Sequence, residues 1–486
     1  MKKNYLVLIG LSLLTMIATG CQSTPMDQEN SSLRFNPEQY EVKTLTTHNG
    51  KTIKYRAYEH LYYVTNIEDS TYQYLNFYVP ESVATGDQNV PILFRTRAGG
   101  YMAGLAGDPS NMDATGRALE EGYAVCIPGS RGHNSVVERN GEKIHTGRGP
   151  AAILDLKAAV RYLRYNDALM PGDAERIFTD GTSAGGAMSA LLGATGNSPL
   201  YDPYFEKMGV PDVRDDVFAA ICYCPMVDLD HADMGYEWLY KHTNTTTRHL
   251  PAEMFEVSEE LAAAFPAYLR SLELKAPDGT LLTEDNYLDY IKSFLIASAQ
   301  KARDEAFDIP DSTGVKLNTY ERMGHVIKGE FVVDIDMPAY LSYVVTTQPL
   351  KNPPAFDPVN VTIDVPSPEN QVFGDEKGSV VNFSEYSFKK VNGADKERDP
   401  ELVMHVRMMN PMPFLYEETS VKAPHWYIRH GARDRDSGFT TPVNLATKLM
   451  NEGYDVDFSL PWNRPHFGDY NLNELFKWMK EVSTEK

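Results

Sequence analysis

Cysteine is scarce in this sequence, with four residues in 486. Cys21 closes an apolar N-terminal stretch, and Cys126, Cys222 and Cys224 sit inside apolar runs, YAVCIPGS and FAAICYCPMVD. So few thiols argue against a disulfide framework and make buried free thiols the expectation. Cys222 and Cys224 are two apart, which on a strand puts them on one face, and without a second ligand pair this spacing argues against zinc. Positive charge is in deficit too: 46 Lys and Arg against 67 Asp and Glu leave a formal net charge of −21. No long basic run offsets it, which disfavours nucleic acid and anionic lipid as partners. There is no internal repeat and no low-complexity tract, so a repetitive propeller or solenoid is not expected.

What is present is enough apolar material, 42% hydrophobic and 11% aromatic residues, to bury a large core and build more than one compact unit. The opening MKKNYLVLIGLSLLTMIATGCQS has Lys2 and Lys3, an apolar segment of signal-peptide length, then Ala18, Thr19 and Gly20 before Cys21. It resembles a bacterial lipoprotein signal over 1–20, with Cys21 as the acylated first residue of the mature chain. Such signals more often carry Leu where Ala18 stands, so secretion as a soluble protein remains an alternative. The apolar run is shorter than the ~20 residues of a spanning helix, which disfavours an uncleaved anchor. Residues 21–40, polar and turn-rich at their start, read as a tether. The expectation is an exported protein lipid-anchored to a membrane or the cell surface.

Beyond the tether, short β-rich runs alternate with helical patterns from about Val90 to Cys224: VPILF, YAVCI, RIF and FAAICYC. Between the second and third, AAILDLKAAVRYLRYN sets Ile153, Leu156, Val160 and Leu163 at helical spacing. The rhythm returns after Pro424 with HWYIRHG, the helical PVNLATKLMNE, VDFSL and a last helix bearing Leu472, Leu475, Phe476 and Met479. Such alternation predicts an α/β fold, parallel strands joined by crossover helices. Between lie long helical segments and Pro-rich loops. The reading is one α/β domain in two parts, 41–225 and 424–486, interrupted by a mainly helical insertion over 226–423.

Within the first part, DGTSAGGAMS places Ser183 between Gly181 and Gly185, after a strand and before a helix. A nucleophile at the apex of a sharp strand-to-helix turn needs neighbours without Cβ atoms, and this pattern supplies them. A phosphate-cradling loop would carry lysine after the glycines, where Ala187 and Met188 stand. A serine alcohol needs a base oriented by a carboxylate, in the chain order serine, acid, histidine. His466 in NRPHFGDY is the histidine candidate. Asp434 and Asp436 in HGARDRDS compete as acid, and the spacing after His430 and Gly431 favours Asp434. His430 reads as a strand-end residue, and His133 in SRGHNS precedes the serine. For the oxyanion hole, the N–H of Ala184 follows the nucleophile, and RAGGYMAG offers Gly99 or Gly100 as the second donor.

RAGGYMAG, PGSRGHN, DLKAAVRYLRYN, GTSAGGAMSALLG, NPMPF, HWYIRHGARDRDS and RPHFGDY together make the chain similar to the bacterial tannases with a large inserted lid, within the α/β hydrolases. The resemblance implies an α/β-hydrolase fold and cofactor-free, metal-free hydrolysis of galloyl esters, with a small phenolic ester as the partner. It also implies a lysine and carboxylates that hold the phenolic hydroxyls, since buried phenols require partners. Asp436 would be one carboxylate, Lys351 and Glu369 the other groups, with Lys377 and Glu376 as the fallback pair. A feruloyl or other carboxylesterase is the nearest alternative; a serine peptidase or a non-catalytic lipoprotein on the same scaffold is more remote.

Overall fold

A computed structural model describes residues 30–47, 49–85, 89–243, 250–346, 348–359 and 367–484. The signal segment and Cys21 lie outside the described residues.

Among the described residues thirteen strands run in chain order: β1 (Glu41–Thr46), β2 (Thr52–Tyr62), β3 (Tyr74–Pro80), β4 (Pro91–Arg95), β5 (Ala124–Pro128), β6 (Val136–Arg139), β7 (Glu142–His145), β8 (Asp173–Thr182), β9 (Ala219–Tyr223), β10 (Val315–Arg322), β11 (His325–Ile335), β12 (His425–Arg429) and β13 (Asp455–Ser459). Nine form one sheet in the order β1-β2-β3-β5-β4-β8-β9-β12-β13. The first four are joined antiparallel, and from β5 to β13 every pairing is parallel. This is the α/β-hydrolase fold. The uniformly buried runs AVCIP in β5 and AAICY in β9 are what a parallel sheet covered on both faces demands.

The pleat sorts side chains between two cores. Ile92, Phe94, Ile177 and Cys222 pack with Ile153, Leu156 and Leu191, from the helices Ala151–Tyr165 and Ala184–Ala194. Leu93, Phe178 and Ile221 face the other way, onto Leu119 of Ala114–Glu121 and Leu475, Phe476 and Met479 of Leu472–Thr484. Cys126, Cys222 and Cys224 are buried free thiols. Cys224 departs from the shared-face expectation: it lies one residue past β9 at φ 44°, so the backbone has already left strand geometry.

Strand β9 pairs directly with β12, Ala219 opposite His425 and Tyr223 opposite Arg429. The chain between them leaves the sheet and returns to the adjacent strand. On this excursion lie the helices Leu229–Tyr240, Ala252–Ser271, Tyr287–Asp304, Met337–Val344, Pro368–Val372, Glu385–Asn392 and Pro400–Met408. It also holds the antiparallel hairpin β10–β11, which the helical reading of this region did not anticipate. Buried Asp357 knits the excursion together: its carboxylate accepts from Asn382 Nδ2 (2.8 Å), Asn370 Nδ2 (2.5 Å), and Ser384 N and Oγ (2.8 and 2.7 Å). Burial pushes its pKa up to about 6.

Candidate active site

Ser183 stands between the end of β8 and the helix Ala184–Ala194 at φ 62°, ψ −125°, a conformation that costs ~1–3 kcal/mol and persists only where the surroundings enforce it. The surroundings leave no alternative. A Cβ on Gly181 would lie 2.1 Å from Thr96 Oγ1 and 2.3 Å from the Gly185 carbonyl oxygen, and one on Gly186 would lie 2.6 Å from Tyr223 O. Ser183 N donates to Tyr223 O at 2.9 Å, which locks the turn to β9.

The Gly99–Tyr101 turn follows β4, with Gly100 at φ 59° and Tyr101 at φ 55°. Met226 ties it to the serine turn: its N–H donates to Ser183 O (3.3 Å) and its carbonyl accepts from Tyr101 Oη (2.7 Å). A Cβ on Gly99 or Gly100 would meet nothing within 4 Å, so open space lies beside this backbone. Ala184 is the first residue of its helix, where N–H groups lack intrahelical acceptors. His133 flanks the turn: its backbone N–H donates to Tyr101 O at 3.0 Å, and its ring is buried beside the Gly100 backbone. Burial, reinforced by the Arg148 charge, lowers its pKa.

Asp434 and His466 come from separate loops after β12 and β13 and meet with His466 Nδ1 2.7 Å from Asp434 Oδ2. Asp434 is fully buried. Burial alone would raise its pKa, but the imidazoles of His430 and His466 outweigh that and hold it well below the usual carboxylate range. For His466 burial works downward, and the Asp434 charge and hydrogen bond overcome it, leaving the imidazole raised above its ordinary value. Nδ1 is thereby the proton-bearing nitrogen, and Nε2 is left as the basic one. His466 borders the serine turn through its neighbours: Phe467 O accepts from Cys224 Sγ (3.4 Å), and a Cβ on Gly468 would lie 1.9 Å from Thr182 Oγ1. Among the described residues no hydrogen bond links Ser183 Oγ to the imidazole, a contact that commonly tightens only with substrate bound.

Arg95, at the end of β4, grips the histidine loop. It bonds Asp469 through Nη1 at 2.9 Å and also pairs with buried Asp180. Sequence reading missed this anchor: Asp469 is visible in RPHFGDY, but nothing local pairs it with a residue 374 positions earlier.

Asp436 adjoins the pair, its N–H donating to Asp434 Oδ1 at 2.8 Å and its carboxylate paired with Arg435 at 2.9 Å. His430 is fully buried with Nδ1 3.6 Å from Asp434 Oδ2, and burial lowers its pKa. Lys351 lies with Nζ 4.3 Å from the Phe356 ring centroid, and its charge bears on His466. Glu369 is 6% exposed on Pro368–Val372, beside the Gly99–Tyr101 turn, and its charge bears on Tyr101. Glu376 and Lys377 are exposed, and Glu376 O accepts from His145 N at 2.8 Å. Among the described residues two groups, Cys224–His430–Asp434 and Asp434–Asp436–His466, each bring three ligand atoms within 4.8 Å of one another. Both include Asp434, whose Oδ2 is committed to His466.

The family model described as BD-FAE matches residues 75–269. Tannase of Fusobacterium nucleatum is 37% identical, covers 93% of this chain and 99% of its own, and superposes with a TM-score of 0.82. A tannin acyl hydrolase solved in complex with ethyl gallate is 36% identical over 94% of this chain and 99% of its own, with a TM-score of 0.83. The chain belongs to the bacterial tannases. Members of this family are carboxylic ester hydrolases on the α/β-hydrolase fold, and the esterases among its relatives agree. Esterase LipQ of Mycobacterium tuberculosis is 34% identical over 90 residues, 18% of this chain and 20% of LipQ. Esterase LipC of the same organism is 46% identical over 54 residues, 11% of this chain and 13% of LipC. The match to those two esterases therefore spans a fifth or less of their length, whereas the match to the tannases is end to end.

Proposed function

We propose that the chain hydrolyses galloyl esters through an acyl-enzyme on Ser183. The observation that carries this is the strained serine at the end of β8 together with the 2.7 Å His466–Asp434 pair beside it. His466 Nε2 takes the Oγ proton as Oγ bonds the ester carbonyl carbon, and Asp434 stabilises the imidazolium. Ala184 N and the backbone of Gly99–Gly100 stabilise the oxyanion. The C–O bond to the alcohol breaks, and the leaving oxygen takes the proton from the imidazolium. Water, deprotonated by the same nitrogen, then attacks the acyl-enzyme, and proton return to Ser183 frees the acid.

The galloyl preference is supported by the structural relative that holds ethyl gallate, and by a tannin acyl hydrolase structure, 36% identical, in complex with 3,4-dihydroxybenzoate. Lys351, Glu369 and Asp436 are the groups assigned to the phenolic hydroxyls, and 226–423 acts as the lid that carries the first two. Rates on methyl gallate, methyl ferulate and methyl benzoate test this. Methyl gallate should be preferred, Ser183→Ala should abolish all three activities, and Lys351→Met and Glu369→Gln should raise KM for gallate at least ~10-fold while sparing benzoate. A preference for ferulate overturns the galloyl assignment.

Export and lipid attachment at Cys21 belong to the same reading, supported by the charged, apolar and small-residue order of 1–20. Metabolic palmitate labelling that persists in Cys21→Ala would refute the attachment.

A further inference from the structure

A cavity of about 280 Å³ lies between the helix Tyr287–Asp304 and the segment that runs from β13 toward His466. It contains neither Ser183 nor His466 in its lining. Its walls are aromatic: Phe294 and Phe307 come from the excursion, Phe458 and Trp462 from the core side. Phe294 and Phe458 meet edge to face with centroids 4.9 Å apart, a rigid apolar corner. The size is just below the ~300–1,000 Å³ typical of small-molecule sites, which suits one ring rather than an extended chain.

The polar groups of this cavity are cationic on one side. Lys301 is engaged by Glu474 at 2.9 Å. Arg464 is exposed, has no acidic partner among the described residues, and lies 5.4 Å from the Tyr470 ring centroid. An aromatic slot with a guanidinium at its edge that no described carboxylate pairs complements a ring bearing a carboxylate, because a guanidinium binds a carboxylate in two-pronged geometry while the ring fills the slot. Glu305, also in the lining, disfavours a second negative charge on the ligand.

We propose that this cavity is a second ligand site, separate from the catalytic one, for a single-ring aromatic monocarboxylate. The assignment stands on the cavity and not on the proposed reaction, although the acid product of that reaction has the same chemistry. Occupancy would also reach the active site, since Arg433 N donates to Arg464 O at 2.9 Å and Ala432 N to Pro461 O at 3.0 Å, joining the cavity segment to the loop that carries Asp434.

The test is a 19F NMR titration of the full chain with 4-fluorobenzoate, counting molecules bound per chain. Ala297, exposed and in the lining, allows Ala297→Phe to fill the slot from the solvent side, with the thermal midpoint confirming the fold. Ala297→Phe should lose one bound molecule that Ser183→Ala retains, Arg464→Gln should weaken that binding at least ~10-fold, and the neutral 4-fluorobenzamide should not occupy it. Equal stoichiometry in wild type and Ala297→Phe, or equal binding of acid and amide, overturns the proposal. Failure of the esterase reading shows separately, as hydrolysis that survives Ser183→Ala.

Discussion

Replacing Asp434 by Asn isolates the step on which the proposed chemistry turns. Asp434 Oδ1 accepts from Asp436 N at 2.8 Å and Oδ2 faces His466 Nδ1 at 2.7 Å. In Asp434→Asn the fixed backbone donor keeps the amide oxygen on the Asp436 side, so the NH2 group is turned to the imidazole. Nδ1 must then accept, Nε2 carries the proton, and the ring cannot receive one from Ser183. Wrong-tautomer variants of this kind lose about 10⁴ in kcat, which is about 5.4 kcal/mol of barrier; KM should change little, because the substituted group does not touch substrate. The pH profile gives a second readout. The base must be neutral, and Asp434 holds the His466 pKa above its ordinary value, so the acidic limb of wild-type activity lies above ~6.5. Without the carboxylate, burial is left to dominate, and the limb of the residual activity moves to lower pH. Stability follows the same linkage. The raised His466 stabilises the fold fully below ~6.5 and loses this as pH rises through its folded value, while the depressed Asp434 contributes above ~3.9 and loses it as pH falls through its own. The stability gap between wild type and Asp434→Asn is therefore widest between about pH 4 and 6.5. Methyl gallate kinetics across pH and urea melts at pH 5 and 8 measure both effects. Activity within tenfold of wild type, or an acidic limb that stays in place, refutes the tautomer argument.

Gly181→Ala puts a Cβ within 2.3 Å of both Thr96 Oγ1 and Gly185 O, a collision with rigid neighbours that should cost ~3 kcal/mol or more; a lowered thermal midpoint and lost fluorophosphonate labelling are the readouts, and full labelling with an unchanged midpoint contradicts the steric account. Asp469→Asn removes one of the two acidic partners of Arg95 and should destabilise by ~1–3 kcal/mol, with kcat falling more than KM rises; unchanged kcat means that the loop does not depend on this anchor. In the Cys21→Ser protein, Ellman's reagent should find no reactive thiol until denaturant is added and three afterwards, because burial raises the pKa of Cys126, Cys222 and Cys224.

Legibility in the sequence followed the range of the interaction. The strands of the parallel half were visible because each is a continuous apolar run bounded by turns, and β5, β9 and β12 fall within a residue or two of YAVCI, FAAICYC and HWYIRHG. The serine turn was visible because its sterics are local: the Gly181 contact with Gly185 spans four residues. By contrast, β1 alternates exposed with half-buried positions and β2 begins as an exposed–buried alternation, and neither carries a dense apolar signal. The hairpin β10–β11 is exposed on both faces from Thr319 to Arg322 and, apart from half-buried Ile327, from His325 to Lys328, so neither strand nor helix periodicity stands out. Arg95–Asp469 and the Asp357 knot are polar pairings between distant segments, and a charged residue in a loop reads locally as a solvated one until the fold supplies its partner.

The placement of the excursion has a functional consequence. It begins at Met226, the residue whose N–H holds Ser183 and whose carbonyl holds Tyr101, so the serine turn and the Gly99–Tyr101 turn are tied together before the insertion diverges. Pro368–Val372 then brings Glu369 beside the Gly99–Tyr101 turn, and this helix is positioned by Asn370, which donates to Asp357. Asp357 in turn touches neither the serine nor the histidine loop. A change at Asp357 should therefore reach substrate recognition without reaching proton transfer. Asp357→Asn turns an NH2 group toward two of its four donors, since each carboxylate oxygen accepts two of them, loosens the Glu369 helix, and should raise KM for methyl gallate while kcat and the rate of fluorophosphonate labelling stay within a few-fold of wild type. A loss of labelling equal to the loss of gallate turnover would show that insertion and core act as one unit, and that acyl recognition is not separable from the chemistry it serves.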